Sequence, residues 1–113
     1  MLVNQTKREK ILFLHIPAST KRELAGCPVS AAITTWYLLE NAGDDIAFVS
    51  DTHGDWPFRS GSPDDLSMYR EVTGDVVASL ISAEILKDEG VEVFDESEPD
   101  VYERRLRNVW WKR

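Results

Sequence analysis

The sequence predicts a single small domain of the α+β class, in which an antiparallel β-sheet packs with about two helices. The chain has 113 residues, the size of one domain, so residues 1–113 are assigned to it. Apolar residues make up 42% of the chain and include four tryptophans, which is enough for a core without disulfide bonds. They recur at helical spacing in two segments and form short strand-like runs elsewhere. Together these three observations indicate the α+β class.

The beginning of the chain is predicted to hold one strand. Residues 1–10 are mostly polar and are expected to form a flexible arm. Ile11 to Pro17 is short, apolar and closed by proline, which indicates a buried strand. Within this run, His15 is expected to be a core histidine with one hydrogen-bond partner. A polar connection follows from Ala18 to Gly26.

The segment from Pro28 to Gly43 is the first predicted helix. Proline suits the first helical position, and glycine suits the position just past the last one. The β-branched Thr34 and Thr35 favour a strand locally, which leaves a strand as the alternative for this segment. The expected buried face consists of Val29, Ala32, Ile33, Trp36 and Tyr37.

A β-hairpin is predicted after this helix. Ile46 to Val49 is an apolar run, and Trp56 and Phe58 alternate after the polar residues 51–55. We therefore expect the two runs to pair antiparallel, with Trp56 against the core. Pro57 cannot donate a hydrogen bond to a neighbouring strand, so the second strand is expected at an edge or with a bulge.

The rest of the chain is predicted to hold a second helix and three strand-like runs. Thr73 suits the cap of a helix that ends at Gly90. The apolar face of this helix consists of Val76, Val77, Leu80, Ile81 and Ile85. The strand-like runs are Val91 to Phe94, Val101 to Arg104 and Asn108 to Trp111, with an acidic loop around Pro99 after the first of them.

Composition and charge exclude several classes of function. The chain has 20 acidic and 13 basic residues, which argues against a nucleic-acid binder, because such proteins draw affinity from lysine and arginine. No apolar run approaches the roughly 20 residues that span a bilayer, and the N-terminal residues are too polar for a signal peptide. The single cysteine, Cys27, can form no internal disulfide. These features predict a soluble cytoplasmic protein.

The acidic residues are concentrated near the C-terminal end. Between Glu84 and Glu103 there are nine carboxylates and one basic residue, Lys87. Such a stretch is either a solvated surface that keeps the protein soluble or a docking face for a basic partner. The nine residues are Glu84, Asp88, Glu89, Glu92, Asp95, Glu96, Glu98, Asp100 and Glu103.

One segment, IAFVSDTHGD, resembles the first motif of the calcineurin-like metallophosphoesterases, in which an apolar strand runs into Asp-x-His-Gly. In that family the aspartate and histidine bind a two-metal centre, which here would match Asp51 and His53. Such a centre needs further ligands, and no histidine follows His53 in this chain. A hairpin turn with an exposed histidine is therefore the favoured interpretation.

Other catalytic arrangements have less support. Ser30, Ser50 and Cys27 are candidate nucleophiles, but each needs a general base within hydrogen-bond reach, which the sequence does not place there. The chain has no glycine-rich phosphate loop and no dinucleotide-binding fingerprint. We therefore expect no catalytic residue, no metal ligand and no cofactor, and we predict that the protein is not an enzyme.

A wider pattern lies between Ile46 and Gly61, where an apolar strand and a turn lead into Gly-Asp-Trp-x-Phe-x-x-Gly. It resembles a group of small bacterial proteins that are mostly uncharacterised and are related to immunity proteins of bacterial toxin systems. The resemblance covers about residues 27 to 112. Members of that group close with an acidic-proline turn, an aromatic residue, an arginine and a tryptophan-rich strand, which match Asp95 to Pro99, Tyr102, Arg104 or Arg105, and Trp110-Trp111.

The resemblance and the acidic stretch together predict a non-enzymatic, protein-binding domain, an immunity-type protein that binds and neutralises a toxin, such as a basic nuclease. An acidic inhibitor from a mobile element that mimics nucleic acid is one alternative. A divalent-metal phosphohydrolase around Asp51 and His53 is the other. The residues expected to bind the partner are Glu92, Asp95, Glu96, Glu98, Asp100, Tyr102 and Trp111.

Overall fold

The computed structural model describes residues 1–50 and 56–111 and has the predicted α+β class. None of the helices in these ranges has the length and apolarity that crossing a membrane requires. The strands in the described part are β1 (Leu2–Asn4), β2 (Glu9–Ile11), β3 (Ile46–Phe48), β4 (Arg70–Glu71), β5 (Leu86–Val93) and β6 (Tyr102–Asn108). The helices there are α1 (Lys21–Gly26), α2 (Pro28–Glu40), α3 (Thr73–Ser82) and a 3-10 helix (Pro63–Met68).

The described strands form two separate sheets. The larger has four strands in the order β3-β1-β2-β4, and the smaller consists of β5 and β6. β1 pairs antiparallel with both β2 and β3, whereas β2 pairs parallel with β4. The main sheet is therefore mixed, where the sequence predicted an antiparallel one, because β4 enters it after a long connection rather than a hairpin.

The expectation of a flexible arm at residues 1–10 is wrong. β1 lies inside the sheet, and its residues Leu2, Val3 and Asn4 are each at most 2% exposed. Leu2 packs into the main core with α2 and α3, and Val3 packs into a second cluster with Val49 and Tyr69. Successive side chains of a strand point to opposite faces, so this strand is buried on both of them.

The strand predicted from Ile11 to Pro17 ends at its first residue. The chain then turns, with Phe13 and His15 in the left-handed region at φ values of 55° and 64°. The amide of Ile16 donates to the carbonyl of Phe13 (3.0 Å), and the amide of Phe13 donates to the hydroxyl of Thr73 (3.2 Å). These bonds hold a backbone shape that costs energy for residues other than glycine. We call residues 12–17 the left-handed turn.

The first predicted helix is confirmed as α2. Cys27 is its N-cap, Pro28 is its first residue, and Gly43 follows its end with φ 93°. Val29, Ile33 and Tyr37 are buried at a spacing of four residues, so they share one face. The polar connection before it contains a short helix that was not predicted, α1, whose cap Thr20 accepts a hydrogen bond from the amide of Glu23 (3.1 Å).

The predicted hairpin is wrong in its described part. β3 pairs with β1, and residues 56–58 are not a strand. The turn residues 51–55, which include Asp51, His53 and Asp55, lie outside the described residues. Trp56 does pack against the second apolar cluster, and its indole nitrogen donates to the carbonyl of Ser60 (2.7 Å).

The second predicted helix is confirmed as α3, but it is shorter than expected. It begins at Thr73, has Val72 as its N-cap and ends at Ser82, not at Gly90. Glu84 then has φ 61°, which ends the helical path, and the chain continues as β5. The two C-terminal strand-like runs correspond to one strand, β6, and a turn that follows Asn108.

Replacing Leu2 by alanine tests the position of β1 in the core. The side chain is 2% exposed, so we expect a loss of about 2–5 kcal/mol in the free energy of unfolding, measured by urea denaturation. Lys7→Ala is the control in the same segment. Its ion pair with Asp44 is partly exposed and should change stability by no more than about 1 kcal/mol. Equal stability of Leu2→Ala and the wild type would support the flexible arm that the sequence predicted for residues 1–10.

Candidate functional site

The candidate site is the two-stranded sheet of β5 and β6 with the loop that joins them, residues 94–101, which together we call the ribbon. Its strands pair antiparallel, with Val93 opposite Tyr102 and Leu86 opposite Asn108. A β-bulge interrupts the pairing between Asp88 and Val91. The loop therefore lies at one end of the ribbon, which we call the outer end.

The opposite end of the ribbon is anchored to the body of the domain. Leu86 is 2% exposed and belongs to the main core, and Leu106 packs against that core. The side-chain amide of Asn108 donates to the carbonyl of Pro28 at the start of α2 (3.1 Å). The amide of Val109 donates to the carbonyl of Ile85 (2.9 Å). These contacts keep this end packed while the outer end is more exposed.

Ion pairs across the ribbon neutralise part of the acidic stretch. Asp88 pairs with Arg104 at 3.3 Å, Glu89 pairs with Arg107 at 3.4 Å, and Glu92 pairs with Arg105. Each pair joins a carboxylate of β5 to an arginine of β6, because the antiparallel pairing places distant parts of the sequence side by side. Pairs this exposed add little stability, but they cancel charge locally.

The bulge is stabilised by a carboxylate. Gly90 has φ 104°, a conformation that glycine adopts without strain, and its amide donates to a carboxylate oxygen of Asp88 (2.9 Å). This hydrogen bond, with the charge of Arg104 as a smaller contribution, lowers the pKa of Asp88. The carboxylate is thus ionised at neutral pH and fixed in place.

The loop at the outer end carries carboxylates without a base. Residues 94–103 contain five acidic residues and no lysine or arginine. Asp95 accepts hydrogen bonds from the amide (2.9 Å) and the hydroxyl (2.8 Å) of Ser97, which lower the pKa of Asp95. The exposed carboxylates Glu96, Glu98 and Asp100 project from this turn. The unpaired negative charge of the ribbon is therefore concentrated in this loop, which is a smaller area than the acidic stretch from Glu84 to Glu103.

His15 of the left-handed turn joins the body of the domain to the ribbon. Its ring stacks on that of Tyr102, with centroids 3.6 Å apart and planes 10° from parallel. Its Nδ1 lies 2.9 Å from the carbonyl oxygen of Tyr102, and its own carbonyl accepts from the amide of Arg104 (2.8 Å). A carbonyl only accepts, so Nδ1 carries the hydrogen. The predicted hydrogen-bond partner of the ring is present, but the prediction of a core histidine is wrong, because His15 is only half-buried.

Apolar side chains at the outer end of the ribbon are exposed. Val91 is 59% exposed, Val93 43%, Phe94 64% and Val101 56%. Single exposed apolar residues are ordinary on protein surfaces, but here four occur in the outer part of one ribbon. Val91 and Val93 precede the acidic loop, and Phe94 and Val101 are its first and last residues.

A groove runs between the outer end of the ribbon and the left-handed turn, with a volume of about 510 Å³. Leu14, Ile16 and Pro17 line one side, and Phe94 and Val101 line the other. His15 and Tyr102 line it as well, together with the carboxyl-bearing residues Glu23, Asp100 and Glu103. Sequence reasoning missed this groove, because its two sides are about 80 residues apart in the chain.

The structure brings most of the predicted partner-binding residues together. The loop contains Asp95, Glu96, Glu98 and Asp100. Glu92 lies on β5 and forms an ion pair with Arg105. Tyr102 is half-buried against His15 rather than an exposed anchor. Trp111 is 54% exposed but follows the other end of β6, at least about 20 Å along the strand from the loop. Phe94 is the exposed aromatic residue beside the carboxylates. Its position next to Asp95 in the sequence could have identified it as a candidate for partner binding.

Among the described residues, no group of three or more histidine, cysteine or acidic side chains is arranged to hold a metal ion. The predicted candidates Asp51, His53 and Asp55 lie outside those residues. No protein-family model, curated protein or solved structure matches this chain. The function must therefore be argued from the residues of the chain itself.

Replacing His15 by alanine tests how the ribbon is held. The variant loses the ring stack and the Nδ1 hydrogen bond, each worth about 1 kcal/mol, so we expect a total loss of about 1–3 kcal/mol in unfolding free energy. Amide hydrogen exchange should become faster in β6 and stay unchanged in α3. Leu14→Ala, which shortens an exposed neighbour, should leave both measurements near the wild type. An unchanged His15→Ala protein would show that the ring does not hold the ribbon.

The metal prediction concerns Asp51, His53 and Asp55. Three nearby ligands without a second group leave any site open and hydrated, so we expect no tight binding of manganese or zinc in calorimetry. We also expect no hydrolysis of a phosphodiester substrate in the presence of either metal. Micromolar affinity together with turnover that is lost in His53→Ala would assign the protein to the phosphohydrolases instead.

Proposed function

We propose that this protein is a non-enzymatic binding domain of the immunity type, which acts in the cytoplasm and neutralises a protein toxin by covering it with the outer end of the ribbon. The observation that carries the proposal is the combination at that end of exposed apolar residues and carboxylates that form no ion pair within the described residues. Charge steers a partner toward such a surface, and the apolar residues then hold it.

The apolar residues supply the contact area. Val91, Val93, Phe94 and Val101 are each more than 40% exposed, as are other apolar residues elsewhere on the domain, among them Met68 and Trp110. Phe94 is the aromatic residue that would occupy a pocket on the partner, as aromatic residues near the centre of interfaces often do. Exposing such a patch costs solubility, which a covering partner would restore.

The charge distribution indicates a basic partner. The chain has a net charge of −7 at pH 7. Since Asp88, Glu89 and Glu92 are paired with arginines, the unpaired carboxylates of the ribbon are found mainly in and beside the loop. A localised field of this kind directs one surface of the protein toward a positive patch and fixes its orientation there. A basic toxin, such as a nuclease whose substrate surface attracts phosphates, fits this description.

The alternative of a nucleic-acid mimic has less support. A mimic needs unpaired carboxylates repeated along an extended surface, because duplex nucleic acid carries about one charge per 1.7 Å of its axis. Here the arginines of β6 cancel the carboxylates along most of the ribbon. The remaining charges form a short patch beside apolar residues, which favours a protein surface.

The first experiment identifies the partner. The tagged protein is used to capture binding proteins from cells of its source, and each candidate is then purified and titrated directly. An immunity role requires that production of the captured protein stops the growth of a host and that production of this protein restores it. Binding without any effect on growth would leave a protein-binding domain but would rule out the immunity role.

The second experiment tests the surface. We expect the triple variant Glu96→Gln, Glu98→Gln, Asp100→Asn to associate with the partner more slowly and with a weaker dependence on salt, while its unfolding free energy stays within about 1 kcal/mol. The control is Glu40→Gln, Asp64→Asn, Glu84→Gln, which removes the same charge from exposed positions elsewhere. Equal association rates in the two variants would indicate that the loop is a solvated surface and not a docking face.

A further inference from the structure

We infer that the groove between the outer end of the ribbon and the left-handed turn receives a segment of the protein partner in which an arginine stands next to an apolar side chain. This inference rests on the proposed function and specifies the chemistry that its surface recognises. Three features of the groove support it, namely the apolar sides, the carboxylates and the stacked rings.

The apolar sides provide room for an apolar side chain. Phe94 and Val101 on the ribbon are 64% and 56% exposed, and Leu14 on the opposite side is 46% exposed. Water that covers these three side chains would be released when an apolar group enters between them. The groove therefore has an affinity for apolar groups that is independent of charge.

The carboxylates provide a place for a positive charge. Glu23, Asp100 and Glu103 line the groove, and no lysine or arginine lines it among the described residues. None of the three forms an ion pair within the described part of the chain. Glu23 is also held in place, since one carboxylate oxygen accepts from the amide (3.1 Å) and the hydroxyl (2.7 Å) of Ser19, and the hydroxyl bond is the main cause that lowers its pKa.

The stacked rings favour arginine over lysine. His15 and Tyr102 both line the groove, with their planes within 10° of parallel. A guanidinium group is planar, stacks on aromatic rings and donates to carboxylates at the same time, whereas an ammonium group is a compact and strongly hydrated charge. A groove that offers rings and carboxylates together suits the guanidinium better.

A protein segment is the occupant that fits the shape and charge best. The groove is open to solvent, so a small molecule could not bury most of its surface there, as ligands in enclosed pockets do. A second copy of this chain would bring its own acidic loop to an acidic groove, and anionic lipid headgroups would be repelled in the same way. A partner that already covers the ribbon loses no further translational or rotational freedom when it places a side chain in the groove.

The test uses two blocked peptides and the full chain. The first is acetyl-Ala-Leu-Arg-Leu-Ala-amide, and the second has citrulline, which is nearly isosteric but uncharged, in place of arginine. Both are titrated into the isotope-labelled protein, with amide shifts recorded by NMR. We expect amide shifts confined to residues that line the groove, namely 14–16, 23, 94 and 100–103, and binding of the arginine peptide about fivefold tighter, the size of one partly exposed ion pair.

Variants separate the groove from the loop. Asp100→Asn, Glu103→Gln should remove the advantage of the arginine peptide, and Val101→Ser should weaken both peptides. The control Glu96→Gln, Glu98→Gln removes the same charge just outside the groove and should preserve the arginine advantage. Equal binding of the two peptides, shifts elsewhere on the protein, or an equal loss in the control would overturn the inference. So would shifts of the same residues on simple concentration of the protein, which would assign the groove to a second copy.

The peptide titration needs no knowledge of the partner, so it can fail independently of the proposed function. If a captured partner is sensitive to Glu96→Gln, Glu98→Gln but binds Leu14→Ala as well as it binds the wild type, the proposed function stands and the groove inference is wrong. If the arginine peptide binds the groove while no protein responds to the loop variant, the groove chemistry stands and the proposed docking surface is wrong.

Discussion

Burial of β1 on both faces is the constraint on which the rest of the domain depends. Leu2 joins the core formed with α2 and α3, while Val3 joins the cluster with Val49 and Tyr69. Asn4 is fully buried, and its side chain donates to Asp44 (2.9 Å) and accepts from the amide of Lys7 (3.0 Å). Because β2 and β3 each pair with this strand, the sheet on which the helices rest exists only while its three residues stay in place.

Sequence periodicity predicted α2 and α3 but not this strand, for a physical reason. α2 and α3 are long enough for apolar residues to recur three or four positions apart, and that recurrence reflects their one-sided burial. β1 has three residues and is buried on both sides, so it shows no alternation. The polar residues that follow it dominated the composition of the segment. A short central strand is specified by its partners, which local sequence does not reveal.

The same limit explains the hairpin and the acidic face. Ile46 to Phe48 has the composition of a strand, but its partner is β1, over 40 residues away, rather than the run containing Trp56. The acidic stretch was visible as composition, and the four loop carboxylates from Asp95 to Asp100 were identified correctly as neighbours. The ion pairing of Asp88, Glu89 and Glu92 on β5 was not predicted. The arginines that pair with them lie later in the sequence and approach them only when the ribbon forms.

The ion pairs across the ribbon restrict which substitutions the sequence can accept at these positions during evolution. Asp88 forms an ion pair with Arg104, Glu89 with Arg107 and Glu92 with Arg105, so reversing one charge alone would bring like charges together. The changes that avoid this repulsion are an exchange of charge sign at both positions of a pair or the loss of both charges. Homologous chains should therefore vary at these positions in pairs, while the exposed loop carboxylates Glu96, Glu98 and Asp100, which form no ion pair within the described part of the chain, are free of this restriction.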